Sequence, residues 1–322
     1  MSETLSSEHL TIDSFHLAGI IPVAGQPLDF EFPWHDSMVP ISNNYLAIER
    51  TVLECATAGC ETIWIVCPSA MQPLLKHRLG EMVQDPVWIS RKHDVFPSES
   101  RKDIPIYYVE VHPRDQSRRD SMVWSILYGA KVAKKVCNGL SQWLVPDKYY
   151  VAFPYAVYPS QHLRRYRKEI SNTGNFYVLT AEGESVLDGE YAGFAFEAKQ
   201  LGKLIKYFWD KQTGKWDTSQ PIDERRDGKY VTKLLPLEER YSGRFFNVAE
   251  IFNQLDDSEK TFKIEMEWYY DISSWENLCK YLASEESKKM LKPKLPFLTN
   301  RTWNKIGEDD EQTIYNKEEL SD

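Results

Sequence analysis

An α/β fold with a mostly parallel, doubly wound sheet is the class this 322-residue sequence predicts. Two observations carry that expectation. Short apolar runs alternate with segments of helical periodicity over most of the chain. Glycine, proline and asparagine stand between them, where regular structure has to break. Parallel neighbours in one sheet need right-handed crossovers, so strands separated by helices wind as a doubly covered unit.

The run LAGIIPV at 17–23 is short and apolar, and Gly25 follows, so it reads as a buried strand ending in a turn. The stretch 26–44 holds Pro27, Pro33 and Pro40, which disfavour regular structure. Asn43 or Asn44 caps a helix expected over 45–58, where Tyr45, Ile48, Val52, Leu53 and Ala56 share one face and Gly59 ends it. ETIWIVC at 61–67 is the next strand, and Ser69 opens a short helix to about Gly80. A strand is expected at 104–111, then a helix capped by Asp120 or Ser121, then a strand over 149–157. Ser160 starts a basic helix, QHLRRYRKEI, whose charges read as a solvated face. Strands at 175–180 and 191–196 and a helix at 198–210 complete the alternation. Asn247 caps a further helix, and TFKIEMEW leads to a turn and helix in YYDISSWENLCKYL.

Residues 1–16 read as an N-terminal arm, 17–290 as one α/β domain with an irregular insertion at 211–243, and 291–322 as an acidic tail. Hydrophobic residues make up 42% and aromatics 13%, enough for a sizeable core. A net charge of -9 makes nucleic acid an unlikely partner. No apolar run approaches the ~20 residues that span a bilayer. The polar start of the chain is unlike a secretory signal. Five cysteines without a CxxC pattern suggest buried thiols in a reducing compartment, so a cytoplasmic location is expected.

Four stretches resemble one family. AGIIPVAG at 18–25 is similar to an opening strand and glycine turn. The segment 38–67 is similar to the helix, Ala-Gly turn and second strand that follow. YAGFAF at 191–196 and the pair FNVAEIFNQL and EWYYDISSWENLCKYL resemble the central and closing elements. In this order they resemble the nucleotide-sugar pyrophosphorylases, nucleotidyltransferases with a GT-A-like nucleotide-diphospho-sugar transferase architecture. The resemblance implies attack of a sugar 1-phosphate on a nucleoside triphosphate, with Mg2+ held by two carboxylates.

On that resemblance Gly25 and Gln26 stand where a phosphate cradle begins, although Gly25 alone also reads as a turn glycine. Asp271 matches the second metal carboxylate, while Asp before Ser-Ser is equally good capping chemistry. Arg114, Arg118 and Arg119 lie between a strand end and a helix start, where they form either a phosphate trap or a solvated loop paired with Asp115 and Asp120. Arg118 and Asp271 are the candidate catalytic groups. Trp34, His35 and Asp36 sit in the first loop, over the expected mouth of the sheet. The aromatic runs at 207–210 and 268–270 read as core. The sequence lacks the family's Gly-x-x-Arg after Gly25, and Pro154 and Tyr155 stand where the first metal carboxylate belongs. Two functions follow. One is a divergent protein binding a nucleotide or nucleotide-sugar, with Mg2+ if active. The other is a catalytically inactive member of the fold, an interaction or assembly module with a protein partner.

Overall fold

The structure is a computed structural model. It describes residues 16–23, 32–87, 102–116, 121–171, 176–213, 223–226, 229–231, 246–256, 261–292 and 298–299.

The first half runs β1 (Leu17–Pro22), a 3-10 turn (Asp36–Met38), β2 (Pro40–Ser42), β3 (Tyr45–Leu46), α1 (Ala47–Ala58) and β4 (Thr62–Val66). It continues with α2 (Gln72–Leu79), β5 (Met82–Gln84), β6 (Asp103–Val109), α3 (Pro113–Gln116), α4 (Met122–Leu140) and β7 (Lys148–Val151). Then come β8 (Ala156–Val157), a 3-10 stretch (Ser160–Tyr166), α5 (Arg167–Ser171), β9 (Phe176–Ala181), β10 (Glu184–Ser185) and β11 (Phe194–Glu197). The last third holds α6 (Leu201–Thr213), a hairpin of β12 (Asp223–Arg226) and β13 (Lys229–Val231), and α7 (Phe246–Phe252). It ends in β14 (Thr261–Glu265), β15 (Tyr270–Asp271), α8 (Trp275–Leu282), α9 (Glu285–Lys289) and β16 (Leu298–Thr299).

One sheet of ten strands organises the chain, in the order β10-β9-β11-β7-β1-β4-β6-β5-β16 with β14 beside β9. Its centre, β7-β1-β4-β6, is parallel throughout. Seven strands run in that direction, namely β1, β4, β6, β7, β9, β14 and β16, while β5, β10 and β11 run against them. Strands covered on both faces need apolar side chains at nearly every position, which is why β1 and β4 read as near-continuous apolar runs and are buried throughout.

The two glycines Gly19 and Gly129 show how the layers close. A Cβ on Gly19 would lie 3.0 Å from the Cys55 sulfur of α1, so α1 packs on that face. A Cβ on Gly129 would lie 2.6 Å from Val66 and 3.1 Å from Ile20, so α4 packs on the other. Alternation along β1 sends Gly19 and Ile20 to opposite faces, and the helices follow. On the α4 face Trp124 stacks on Phe208 of α6 at 5.3 Å, and Phe252 of α7 meets Phe194 at 4.8 Å. The aromatic run at 207–209 is therefore part of the core.

Three local expectations change. The first helix begins at Ala47 instead of Tyr45, because Asn43 and Asn44 turn the chain between β2 and β3. Asn44 takes φ 54, a region asparagine tolerates. Glu49 then accepts from the Leu46 N–H at 2.9 Å, satisfying a donor at the helix start. Gly59 ends α1 at φ 102, as expected. The strand expected over 149–157 is split into β7 and β8 by Pro154, which offers no ladder N–H. The basic helix starts as a 3-10 turn, and its Arg167 is not a wet-face residue but pairs with buried Asp85 at 2.8 Å. Of the cysteines, Cys55, Cys60, Cys67 and Cys137 are buried, whereas Cys279 is exposed.

Candidate functional site

The carboxyl ends of the parallel strands β1, β4, β6 and β7 open on one edge of the sheet, where ligands bind in open α/β folds. After β7 the chain bends at Phe153 and Pro154. The Phe153 carbonyl accepts from Arg50 at 3.0 Å and from Thr51 at 3.2 Å, so α1 fixes the bend from beneath. Tyr155 then lies across the strand ends. It is 4% exposed, and its hydroxyl donates to the carbonyl of Pro22, the last residue of β1, at 3.2 Å. Its ring meets Tyr191 edge to face at 5.2 Å, and Phe153 meets the same Tyr191 at 5.9 Å. An aromatic cluster fills the position that the family resemblance gives to a metal carboxylate.

Asp271 sits on the opposite strand of the same corner. β15 pairs antiparallel with β8, setting Asp271 against Ala156, and the Ile272 N–H donates to the Tyr155 carbonyl at 2.8 Å. The Asp271 carboxylate accepts three hydrogen bonds. One oxygen accepts from the Ser273 N–H at 2.7 Å, the other from the Ser273 hydroxyl at 3.0 Å and the Asn277 amide at 2.9 Å. Ser274 is the N-cap of α8 and accepts from the Asn277 N–H at 3.3 Å. Asp271 therefore orders the turn into α8, which is capping chemistry.

Glu190, Tyr191 and Tyr269 join this corner, and sequence reasoning did not single them out. The Tyr191 N–H donates to the Tyr269 hydroxyl at 2.8 Å. Burial drives the Tyr191 phenol well above its usual range, and the Asp271 charge adds to it. Burial also raises the Glu190 carboxyl; a Tyr269 hydrogen bond opposes this, and the charge of Asp271 reinforces it. Nothing in the spacing of these residues marks them, because β11, α6, α7 and β14 separate Glu190 and Tyr191 from Tyr269 in the chain.

The first loop reaches the same edge. His35 caps the 3-10 turn: its Nδ1 lies 2.8 Å from the Ser37 hydroxyl and 3.0 Å from the Asp36 carboxylate. Asp36 is 3% exposed and its charge is felt at Tyr191. Trp34 packs against Trp275, the first residue of α8, at 6.4 Å. Arg114 lies in the α3 turn just beyond the carboxyl end of β6. Gly25, Gln26, Arg118 and Arg119 lie outside the described residues.

Among the described residues no group of three His, Cys, Asp or Glu side chains converges as a metal site requires. With Asp271 already bonded within its own turn and no carboxylate at the end of β7, the described residues do not supply the two carboxylates of such a Mg2+ site. No described helix is long and apolar enough to cross a membrane.

No family model and no curated protein matches this chain. Solved structures do. One assigned as a glucose-1-phosphate thymidylyltransferase from Bacillus anthracis, in complex with sucrose, superposes with a TM-score of 0.51 at 10% identity, covering 86% of this chain and 98% of its own. The 4-diphosphocytidyl-2C-methyl-D-erythritol synthase of Anaerococcus prevotii gives 0.46 at 12% identity, with 84% and 96% covered. The UTP-bound UGPase of Acinetobacter baumannii gives 0.45 at 15% identity, with 85% and 96% covered. The mixed sheet with its parallel centre, covered on both faces by helices, is the fold of the nucleotidyltransferases.

Proposed function

We propose that this chain keeps the nucleotidyltransferase fold without metal-dependent nucleotidyl transfer, and works as a binding or assembly module. The observation that carries this is Tyr155, whose ring and hydroxyl occupy the corner between β1 and β7. Transfer to a sugar 1-phosphate needs cationic compensation of charge building at phosphorus, and a metal there needs oxygen ligands. A buried phenol hydrogen-bonded to a backbone carbonyl offers neither. Asp271 already accepts three hydrogen bonds that order the turn into α8, and no second carboxylate stands at the end of β7 to share a cation with it.

A second reading, nucleotide or nucleotide-sugar binding without turnover, draws on Arg114. It follows the end of β6, on the edge of the sheet that Tyr155 and Asp271 occupy. On the family resemblance, Arg114, Arg118 and Arg119 are the residues that would offer guanidinium groups to a diphosphate, with Gly25 and Gln26 as its backbone cradle.

The test is a pyrophosphate-release assay on the full chain with the four ribonucleoside and deoxythymidine triphosphates, common sugar 1-phosphates and Mg2+, run beside thermal unfolding with each nucleotide. No release is expected. A thermal shift that is independent of Mg2+ would select the second reading, since ligand at ~100 times its Kd adds about 2.7 kcal/mol. Mg2+-dependent turnover abolished by Asp271→Asn would overturn the proposal.

A further inference from the structure

Helix α1 is buried along its whole length, so other elements cover it on every side. The cover is loose in one place. Between the outer stripe of α1, the chain from Tyr158 into the 3-10 stretch, the turn before β15 and α9 lies a cavity of about 530 Å3. Packed interiors leave few voids larger than a water molecule, whereas sites for small molecules run from about 300 to 1,000 Å3. Arg50, Leu53 and Thr57, at i, i+3 and i+7 of α1, form its floor with Tyr45 and Tyr158, and all of them are buried. Trp268 and Met290 are half-buried walls. Leu291 stands at the rim, 75% exposed, an apolar side chain that the fold itself leaves uncovered.

One polar group on the floor lacks a partner. Arg50 is 1% exposed. Its Nη2 donates to the Phe153 carbonyl at 3.0 Å, and its Nη1 lies 3.0 Å from the Glu54 carboxylate. Its Nε–H meets no acceptor among the described residues. A buried N–H left unpaired is costly, and an acceptor on a ligand would satisfy it. The charges set the sign of that ligand. Glu54 already neutralises Arg50, so the floor offers no net positive charge to an anion. At the rim Glu267 and Glu286 outnumber Lys289, which also disfavours an anion. A cation would have to lie against the guanidinium. A neutral molecule meets neither penalty, and the rings of Tyr45, Tyr158 and Trp268 favour a flat one.

We propose that this cavity binds one neutral, flat, mainly apolar molecule that carries a carbonyl. The carbonyl accepts from the Arg50 Nε–H, and the apolar body lies between Leu53 on the floor and Trp268 and Met290 on the walls. The cavity shares no lining residue with the corner of Tyr155, Tyr191 and Asp271, so this inference and the proposed function fail separately.

The probe is prodan, an uncharged naphthalene ketone whose emission shifts to the blue out of water. Titrated against the full chain it should show one site per chain with a Kd on the order of 10 µM. The same naphthalene without its ketone should bind about tenfold more weakly, because the Nε–H is then left unpaired. The anion anilinonaphthalene sulfonate should also bind more weakly than prodan. Met290→Trp fills the cavity from its half-buried wall and should abolish binding, with thermal unfolding confirming that the variant folds. Arg50→Lys keeps a positive charge beside Glu54 and removes the Nε–H, so it should erase the preference for the ketone. Should that variant fail to fold, the comparison of the two naphthalenes on the natural chain still decides the point. Absence of a saturable site, binding indifferent to Met290→Trp, or equal affinity with and without the ketone would overturn the proposal. Affinity that falls as the protein concentration rises would also overturn it, by showing that a second copy fills the cavity.

Discussion

Tyr155 donates its hydroxyl hydrogen to the carbonyl of Pro22, joining residues 133 apart in sequence across the ends of the two central strands. The bond ties the chain entering β8 to the carboxyl end of β1. Tyr155→Phe removes the donor and keeps the ring, so it should lower unfolding stability by about 1 kcal/mol. Tyr155→Ala also empties the space beside Tyr191 and should cost about 4 kcal/mol. Urea unfolding of both variants reads the difference. Equal losses in the two would mean that the ring contributes no packing there.

Asp271 offers a sharper separation of capping from metal binding. Asp271→Ala strands the Ser273 N–H and the Asn277 amide, and should cost about 2 kcal/mol. Asp271→Asn keeps an acceptor for the Ser273 N–H and should cost less than half of that. The losses should be the same with and without millimolar Mg2+. A loss that appears only when Mg2+ is present would point to a cation on the carboxylate.

The fold was largely legible because its cause is local. The runs in β1 and β4 are almost wholly apolar, as strands covered on both faces require, and Gly59 and Ser121 mark where α1 ends and α4 begins. The break at Pro154 could have been weighed more heavily, since proline has no N–H for the ladder. The site was legible only at single residues. The absence of a carboxylate at Pro154 and Tyr155 could be read, but the meeting of Tyr155 with Pro22 and Tyr191 depends on how β7, β1 and the turn before β11 come together in space. Asp36 belongs to the same case: nothing near it in the sequence announces Tyr191, whose phenol its charge reaches.

The buried pair Arg50 and Glu54 should behave as one unit. They lie 3.0 Å apart on successive turns of α1, at 1% and 0% exposure. Glu54 also accepts from Tyr150 at 2.7 Å and Tyr158 at 2.6 Å, and Arg50 lies 4.4 Å over the Tyr158 ring. Gly193 completes the enclosure, since a Cβ there would come within 2.8 Å of Glu54. Arg50→Met leaves a buried carboxylate without its cation and should cost about 4 kcal/mol. Adding Glu54→Gln removes that charge, so the double variant should recover about 2 kcal/mol relative to the sum of the singles. A double-mutant cycle by urea unfolding measures it, and strict additivity would show that the two charges are not coupled.

Lys148 makes the pH dependence of the fold predictable. It begins β7, is 0% exposed, and stands opposite Glu197 in the antiparallel pair with β11. Burial lowers its pKa from 10.5 to about 8, against the attraction of Glu197, which also bonds Lys199 at 2.6 Å. Between those two values the unfolded chain holds the proton and the folded chain does not, so this group makes stability rise with pH from about 8 to 10.5. Below pH 8 the buried charge is a standing cost of up to about 3 kcal/mol. Lys148→Met, which keeps the length of the side chain and leaves Glu197 its bond to Lys199, should therefore stabilise the protein at pH 7. Its advantage should shrink as the pH climbs past 8. Urea unfolding of both proteins at pH 7, 8, 9 and 10 gives the difference directly, and an advantage that stays constant across that range would mean that Lys148 keeps its proton in the folded chain.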